Sequence, residues 1–210
     1  MMEGAVKIEG GFAEVGAGAW LMSRGQPTAF FGAAVRRRRK GFFLRDRSVL
    51  DRVETTAATT CADARRPFLT HIPCAARISA VSSKVLVAPA AAWAGAEIVK
   101  IVPMSMRGAL CVTTVGGEWV VMATASRTAR LQVADGDTLS ARPDAVVAWT
   151  GNPPTGFCPK LGRWDVLLPR GPRDLLLHFH GPSVVWVEGA NAPNPQASKL
   201  PNFYWRSYGA

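Results

Sequence analysis

The chain has 210 residues, of which 48% are hydrophobic and 19% are charged, and its formal net charge at pH 7 is +10. This length favours one domain with its own core, and the composition excludes a disordered chain, a coiled coil and a disulfide scaffold. The net charge predicts an acidic partner, such as nucleic acid, anionic lipid or an acidic protein face.

Residues 1–35 contain three short apolar runs that predict strands, at Val6–Ile8, Ala19–Met22 and Thr28–Phe31. Glycine-containing turns separate them, so they could belong to the same sheet system as the strands that follow. The acidic residues in the first twenty positions do not fit a cleaved secretory or mitochondrial leader.

The positive charge concentrates between Arg36 and Arg66, where ten Lys and Arg stand against four acidic residues. Five consecutive basic residues repel one another, so we expect them to be solvated or neutralised by a partner. The sequence therefore predicts a basic arm or insertion over residues 36–78, with one short helix around Ser48–Thr56. Its candidate partner-binding residues are Arg36, Arg37, Arg38, Arg39, Lys40, Arg45 and Arg47.

From Ser79 onwards, short β-branched or aromatic runs recur at the spacing of an antiparallel sandwich. The predicted strands are Lys84–Val87, Glu97–Val102, Ala109–Thr114, Glu118–Met122, Ala129–Val133, Thr138–Ala141, Ala145–Trp149, Trp164–Leu168, Leu175–His180 and Ser183–Val187. Asp135-Gly136 suits a tight hairpin because both residues can take positive φ, and Gly181-Pro182 marks another turn. Since no helical segment of ten or more residues separates the strands, we predict an all-β antiparallel sandwich over residues 79–190.

Residues 191–210 form a segment that is rich in proline and asparagine and then aromatic. Its candidate partner contacts are Phe203, Tyr204, Trp205 and Tyr208, because large aromatic side chains dominate interface hot spots. Such a segment cannot fold alone. The sequence leaves two alternatives open: it docks into another subunit, or it folds back over an exposed sheet edge.

His178 and His180 form the histidine cluster of the chain, and alternate residues of a strand point the same way. A cupin-like site would have a glutamate where Val184 stands and a further histidine downstream, and a catalytic metal needs three ligands. No acid–base pair or partnered nucleophile can be assembled from the sequence. We therefore predict a protein that is not an enzyme and uses no metal or other cofactor.

Two segments, Leu131–Gly151 (LQVADGDTLSARPDAVVAWTG) and Gly181–Val187 (GPSVVWV), resemble segments of the family of altered inheritance of mitochondria protein twenty-four. Val85–Val102 is similar to that family's earlier apolar strands, so the resemblance covers residues 80–192. It implies a β-sandwich of the double-stranded β-helix kind. It also implies a mitochondrial location, in the matrix or at the inner membrane, and a role in mitochondrial biogenesis. The family offers no agreed catalytic residues.

Taken together, these features predict a non-catalytic structural or assembly subunit of a large mitochondrial complex, docking through the basic arm and the aromatic tail. The alternative is a mitochondrial RNA-binding or ribosome-associated protein, because phosphate and acidic protein both attract basic residues. A cupin-like metal enzyme is the second alternative. The predicted partners are other subunits of an assembly, an RNA phosphate backbone or the surface of an anionic membrane, without a transmembrane span.

Overall fold

A computed structural model describes residues 6–23, 28–31, 34–37, 50–74, 77–100, 109–116, 118–157 and 176–189. This part of the chain contains 19 β-strands, and its only helical elements are the short 3-10 turns Ser82–Lys84 and Ala90–Ala92. All the strand pairings are antiparallel. The predicted all-β antiparallel sandwich is therefore confirmed. Among the same residues there is no helix long and apolar enough to cross a membrane.

The strands form three consecutive units of six, preceded by β1 (Lys7–Glu9). The first unit contains β2 (Phe12–Val15), β3 (Gly18–Ser23), β4 (Thr28–Phe31), β5 (Ala34–Arg37), β6 (Leu50–Thr55) and β7 (Thr59–Asp63). The second unit contains β8 (Phe68–Pro73), β9 (Ile78–Val81), β10 (Val85–Pro89), β11 (Trp93–Lys100), β12 (Ala109–Val115) and β13 (Trp119–Thr124). The third unit contains β14 (Thr128–Val133), β15 (Thr138–Ala141), β16 (Val146–Trp149), β17 (Thr155–Phe157), β18 (Leu176–His180) and β19 (Ser183–Glu188).

The three units share one connectivity. In each unit, the six strands follow one another in three consecutive pairs, and the two strands of a pair join end to end into one bent strand. The third bent strand pairs with both of the others. Thus β6-β7 pairs with β2-β3 and β4-β5, and β12-β13 pairs with β8-β9 and β10-β11. In the third unit, β18-β19 pairs with β14-β15 and β16-β17. Because each bend carries the chain from one layer to the next, every unit is a small two-layered sandwich.

Three clusters of buried residues hold these layers together. The first is formed by residues of the first and second units and includes Trp20 and Trp119. The second is formed by residues of all three units and includes Leu21, Ile72 and Val147. The third lies in the last unit and includes Trp149, whose ring packs edge-on against Phe179 with their centroids 5.7 Å apart. Strands such as β13 are buried along their whole length because their two faces belong to different clusters. That burial explains their continuous apolar sequences.

Neighbouring units join edge to edge. Strand β3 of the first unit pairs with β10 of the second, and β9 of the second pairs with β16 of the third. The same rule would pair β15 of the third unit with β4 of the first. In the described part of the chain these two strands do not pair, and each is the edge of its own sheet. We call this unpaired position the open junction.

The sequence predicts that the Asp135-Gly136 turn closes a hairpin, and this prediction is wrong. Gly136 does take a positive φ of 82°, and the amide of Asp137 donates to the Ala134 carbonyl at 3.1 Å. However, β14 pairs with β19 and β15 pairs with β18, so the turn links two layers. The turn at Gly181 makes the same change of layer between β18 and β19, opposite the first.

The predicted basic arm over residues 36–78 is also corrected in part. Strand β6 occupies the position of the helix predicted around Ser48–Thr56, and β7 and β8 follow it within the sheets. Cys61 and Ala62 of β7 are both buried and point to opposite faces of the strand. Both faces therefore carry small residues, without the large apolar side chains that mark a strand in a sequence. Residues 38–49 and the predicted strand Trp164–Leu168 lie outside the described residues.

Candidate docking edge on the basic strand

The basic run begins on an edge strand. Arg36 and Arg37 are the last two residues of β5, and their backbone positions lie opposite Val53 and Arg52 of β6. Strand β5 is the outer strand of a six-stranded sheet, beside β6. The remaining residues predicted for partner binding in this region, Arg38, Arg39, Lys40, Arg45 and Arg47, lie outside the described residues.

Strand β6 fixes the position of this edge. Leu50 and Val53 are buried, and they belong to two different core clusters. The corner after β6 is held by Thr55, whose hydroxyl accepts a hydrogen bond from the Trp20 indole at 2.9 Å and donates to the Gly16 carbonyl at 2.8 Å. The edge is therefore anchored to the core through a strand with little freedom to shift.

Among the described strands, this edge combines basic residues with a strand that is paired on one side only. Register places Arg37 directly opposite Arg52, and like charges at opposite positions destabilise a sheet. Arg52 is half exposed, and its Nε lies 3.5 Å from a carboxylate oxygen of Glu54 on the same strand. An outer strand also presents backbone donors and acceptors on its free side. An extended acidic ligand would satisfy both features. The sequence does not predict Arg52 as a partner-binding residue, because its place beside Arg37 depends on the register between β5 and β6.

The predicted aromatic contacts Phe203, Tyr204, Trp205 and Tyr208 lie outside the described residues. The described chain ends at Gly189, whose amide donates to the Arg127 carbonyl at 3.1 Å. This contact places the origin of the C-terminal segment beside the connection between the second and third units.

The histidine pair lies on β18, the central strand of a three-stranded sheet. The two ring nitrogens of His180 lie 3.1 Å from the Thr138 hydroxyl and 3.4 Å from the Thr155 hydroxyl, on the strands at either side. Burial, and then the charge of His180, lower the pKa of His178. Within the described ranges no group of three or more His, Cys, Asp and Glu residues could hold a metal ion. The pair therefore provides two imidazoles, and the groups within hydrogen-bonding distance of His180 are threonine hydroxyls.

The two cysteines with described side chains are buried thiols. Burial raises the pKa of Cys61 to about 12 and that of Cys74 to about 11. The Cys61 thiol donates to the Ala13 carbonyl at 3.2 Å. A thiol must lose its proton to act as a nucleophile, so these two groups are suited to packing rather than to covalent chemistry.

Comparison with known proteins gives a likeness of fold. No protein-family model and no curated protein matches the chain. Among solved structures, the chain is similar to the crystal structure of protein SPYM3_0169 from Streptococcus pyogenes, with a TM-score of 0.64 and 10% sequence identity. The superposition covers 89% of this chain and 93% of that one. At this identity the likeness concerns the fold alone, and it extends over all three units.

Proposed function

We propose that this protein is a non-catalytic subunit of a large mitochondrial complex, and that it docks onto an acidic partner through the basic segment that begins on β5. One observation carries the docking proposal: Arg36 and Arg37 lie on the outer strand of a sheet, with Arg37 opposite Arg52. A carboxylate-rich partner would remove the repulsion between these positions and pair with the free backbone edge.

The mitochondrial part of the proposal rests on the sequence resemblance of Leu131–Gly151 and Gly181–Val187. The non-catalytic part is supported by the state of the described reactive groups. The Cys61 and Cys74 thiols are kept protonated by burial, and His180 lies between two threonine hydroxyls. Metal bound in stoichiometric amount by the purified protein, and lost in His178→Ala, would contradict this part and favour a cupin-like enzyme.

The class of partner is tested by purifying the tagged full-length protein from mitochondria with and without nuclease. We expect the co-purifying proteins to survive nuclease treatment and to dissociate as salt rises, because exposed charges are screened within about 8 Å at physiological ionic strength. Loss of all partners after nuclease would instead identify an RNA-binding protein, because RNA would then be the link.

A further inference from the structure

Among the described residues, two large apolar side chains are exposed to solvent, and the turns that carry them are in contact. Phe12 is 51% exposed and Phe68 is 41% exposed. Phe12 begins β2 after the turn at Gly11, and Phe68 begins β8 after the connection from β7. A Cβ on Gly11 would lie only 3.1 Å from the Pro67 carbonyl oxygen, so the backbones of the two turns touch. We call the surface formed by Phe12, Phe68 and these two turns the two-turn surface.

The two phenylalanine side chains point away from the core cluster beneath them. The next residue of each strand contributes to that cluster, since Ala13 is buried in it and Leu69 packs against it. Because successive side chains of a strand point to opposite sides, Phe12 and Phe68 face outwards. Singly exposed apolar residues are ordinary on protein surfaces, whereas neighbouring ones indicate an interaction site.

The charges on the two sides of Phe12 have opposite sign. Glu9 lies opposite Phe12 on β1, and the exposed Glu14 points to the same side of β2 as Phe12. Lys7 pairs with Glu9 at 2.9 Å, so Glu14 supplies the excess negative charge of this side. On the other side of Phe12, the connection from β7 to β8 carries the exposed Arg65, followed by Arg66. The two-turn surface therefore has an acidic side and a basic side, with the aromatic residues between them.

We propose that the two-turn surface binds a second copy of this chain, so that the protein forms a twofold dimer. A twofold axis presents the same patch to its own copy in reverse order. An axis that passes between the two aromatic rings places Phe12 of one copy against Phe68 of the other, and the acidic side of each copy against the basic side of the other. A patch with charges of one sign would repel its own copy, whereas this pattern attracts it. The dimer does not use β5, so the basic edge stays available for docking.

The dimer should be weak and should dissociate on dilution. A standard interface uses about 20 to 30 residues on each side, whereas the two turns and the strand ends beside them supply fewer. Its formation therefore depends on protein concentration.

Sedimentation velocity on the full-length protein, from about 1 to about 100 µM, tests this proposal. We expect the sedimentation coefficient of the unmodified protein to rise with concentration, and that of Phe12→Ser to stay at the monomer value. Phe68→Ser repeats the test if Phe12→Ser does not fold, and cooperative thermal unfolding shows that each variant is folded. A monomer at about 100 µM would overturn the proposal, and so would a dimer that forms equally well in a folded Phe12→Ser protein.

Charge reversal tests whether the acidic and basic sides meet between copies. Glu14→Arg and Arg65→Glu should each dimerise about tenfold more weakly alone, because each places like charges together. In an equimolar mixture of the two variants, both contacts again join opposite charges, so we expect the dimer to return. The control Arg130→Glu reverses an exposed charge on β14 and should dimerise like the unmodified protein.

Failure of the mixture to regain the dimer would contradict the twofold pairing. A monomeric protein that instead binds vesicles of anionic lipid, and loses this binding in Phe12→Ser, would assign the two-turn surface to a membrane and overturn the dimer.

Discussion

The ammonium group of Lys84 lies 2.7 Å from a carboxylate oxygen of Glu188, although the two residues are 104 positions apart. Lys84 also donates to the Asp144 carbonyl at 2.6 Å, and the other Glu188 oxygen accepts hydrogen bonds from the amides of Ala125 and Ser126. Both side chains are largely buried, and burial lowers the pKa of Lys84 against the opposing effect of Glu188. This pair connects the second unit to the end of the third.

Replacing Lys84 by Met should lower the free energy of unfolding by about 3 kcal/mol, because removal of one partner leaves a buried charge uncompensated. Urea denaturation measures the loss. The matched control is Lys7→Met, which breaks the exposed Lys7–Glu9 pair and should leave the midpoint unchanged. Equal effects of the two substitutions would show that the buried pair does not stabilise the junction between units.

Gly181→Ala should destabilise the protein strongly. A Cβ at this position would overlap the carbonyl group of Ala134 and would lie 2.9 Å from the carbonyl oxygen of Val133. Because the obstacle is backbone, the corner itself must move, at a cost of about 3 kcal/mol or more. Gly16→Ala is the control, since its Cβ would meet no atom within 4 Å. A small and equal change in melting temperature for both variants would show that Gly181 does not pack closely against the backbone of Val133 and Ala134.

Acidification should destabilise the protein through His178. The folded-state pKa of this residue lies below its usual 6.5, so the unfolded chain binds the proton more readily. Its contribution to stability is therefore complete above pH 6.5 and declines as the pH falls below that value. We expect the urea midpoint to drop between pH 7.5 and 5.5, and to drop less in His178→Gln. An identical pH dependence in the two proteins would show that His178 does not contribute.

Cys61 and Cys74 should resist alkylation in the folded protein. Their raised pKa values leave almost no thiolate at pH 8, and both side chains are buried. Iodoacetamide followed by peptide mass spectrometry should show modification of these two cysteines only after urea is added. Fast labelling of Cys61 without denaturant would mean that the first unit opens readily.

Part of this fold is visible in the sequence and part is not. Strands such as β16 and β19 are predictable because runs of β-branched and aromatic residues are bounded by turn residues. The change of layer at Asp135-Gly136 is not predictable, because the same positive φ serves a hairpin and a corner. Which strand pairs with β14 depends on residues that lie 50 to 60 positions away along the chain. Strand β7 is not predictable from the sequence, because its residues (TTCAD) are all small or polar.

The candidate docking edge is likewise only partly predictable from the sequence. The charge of Arg36 and Arg37 is evident in the sequence, and it predicts an acidic partner. Their place on an outer strand is not evident, because it requires the register between β5 and β6. Only that register brings Arg52 opposite Arg37 and turns a charged run into a charged sheet edge.

The docking edge is tested most directly by charge reversal in the full-length protein, followed by quantitative co-purification from mitochondria. One variant carries Arg36→Glu and Arg37→Glu. The matched control carries Arg127→Glu and Arg130→Glu, which change two exposed arginines at and just before another outer strand, β14, by the same charge. We expect the first variant to lose its partners and the control to keep them, while cooperative thermal unfolding shows that both variants are folded. Equal retention by both variants, or equal loss, would contradict docking through the basic edge of β5.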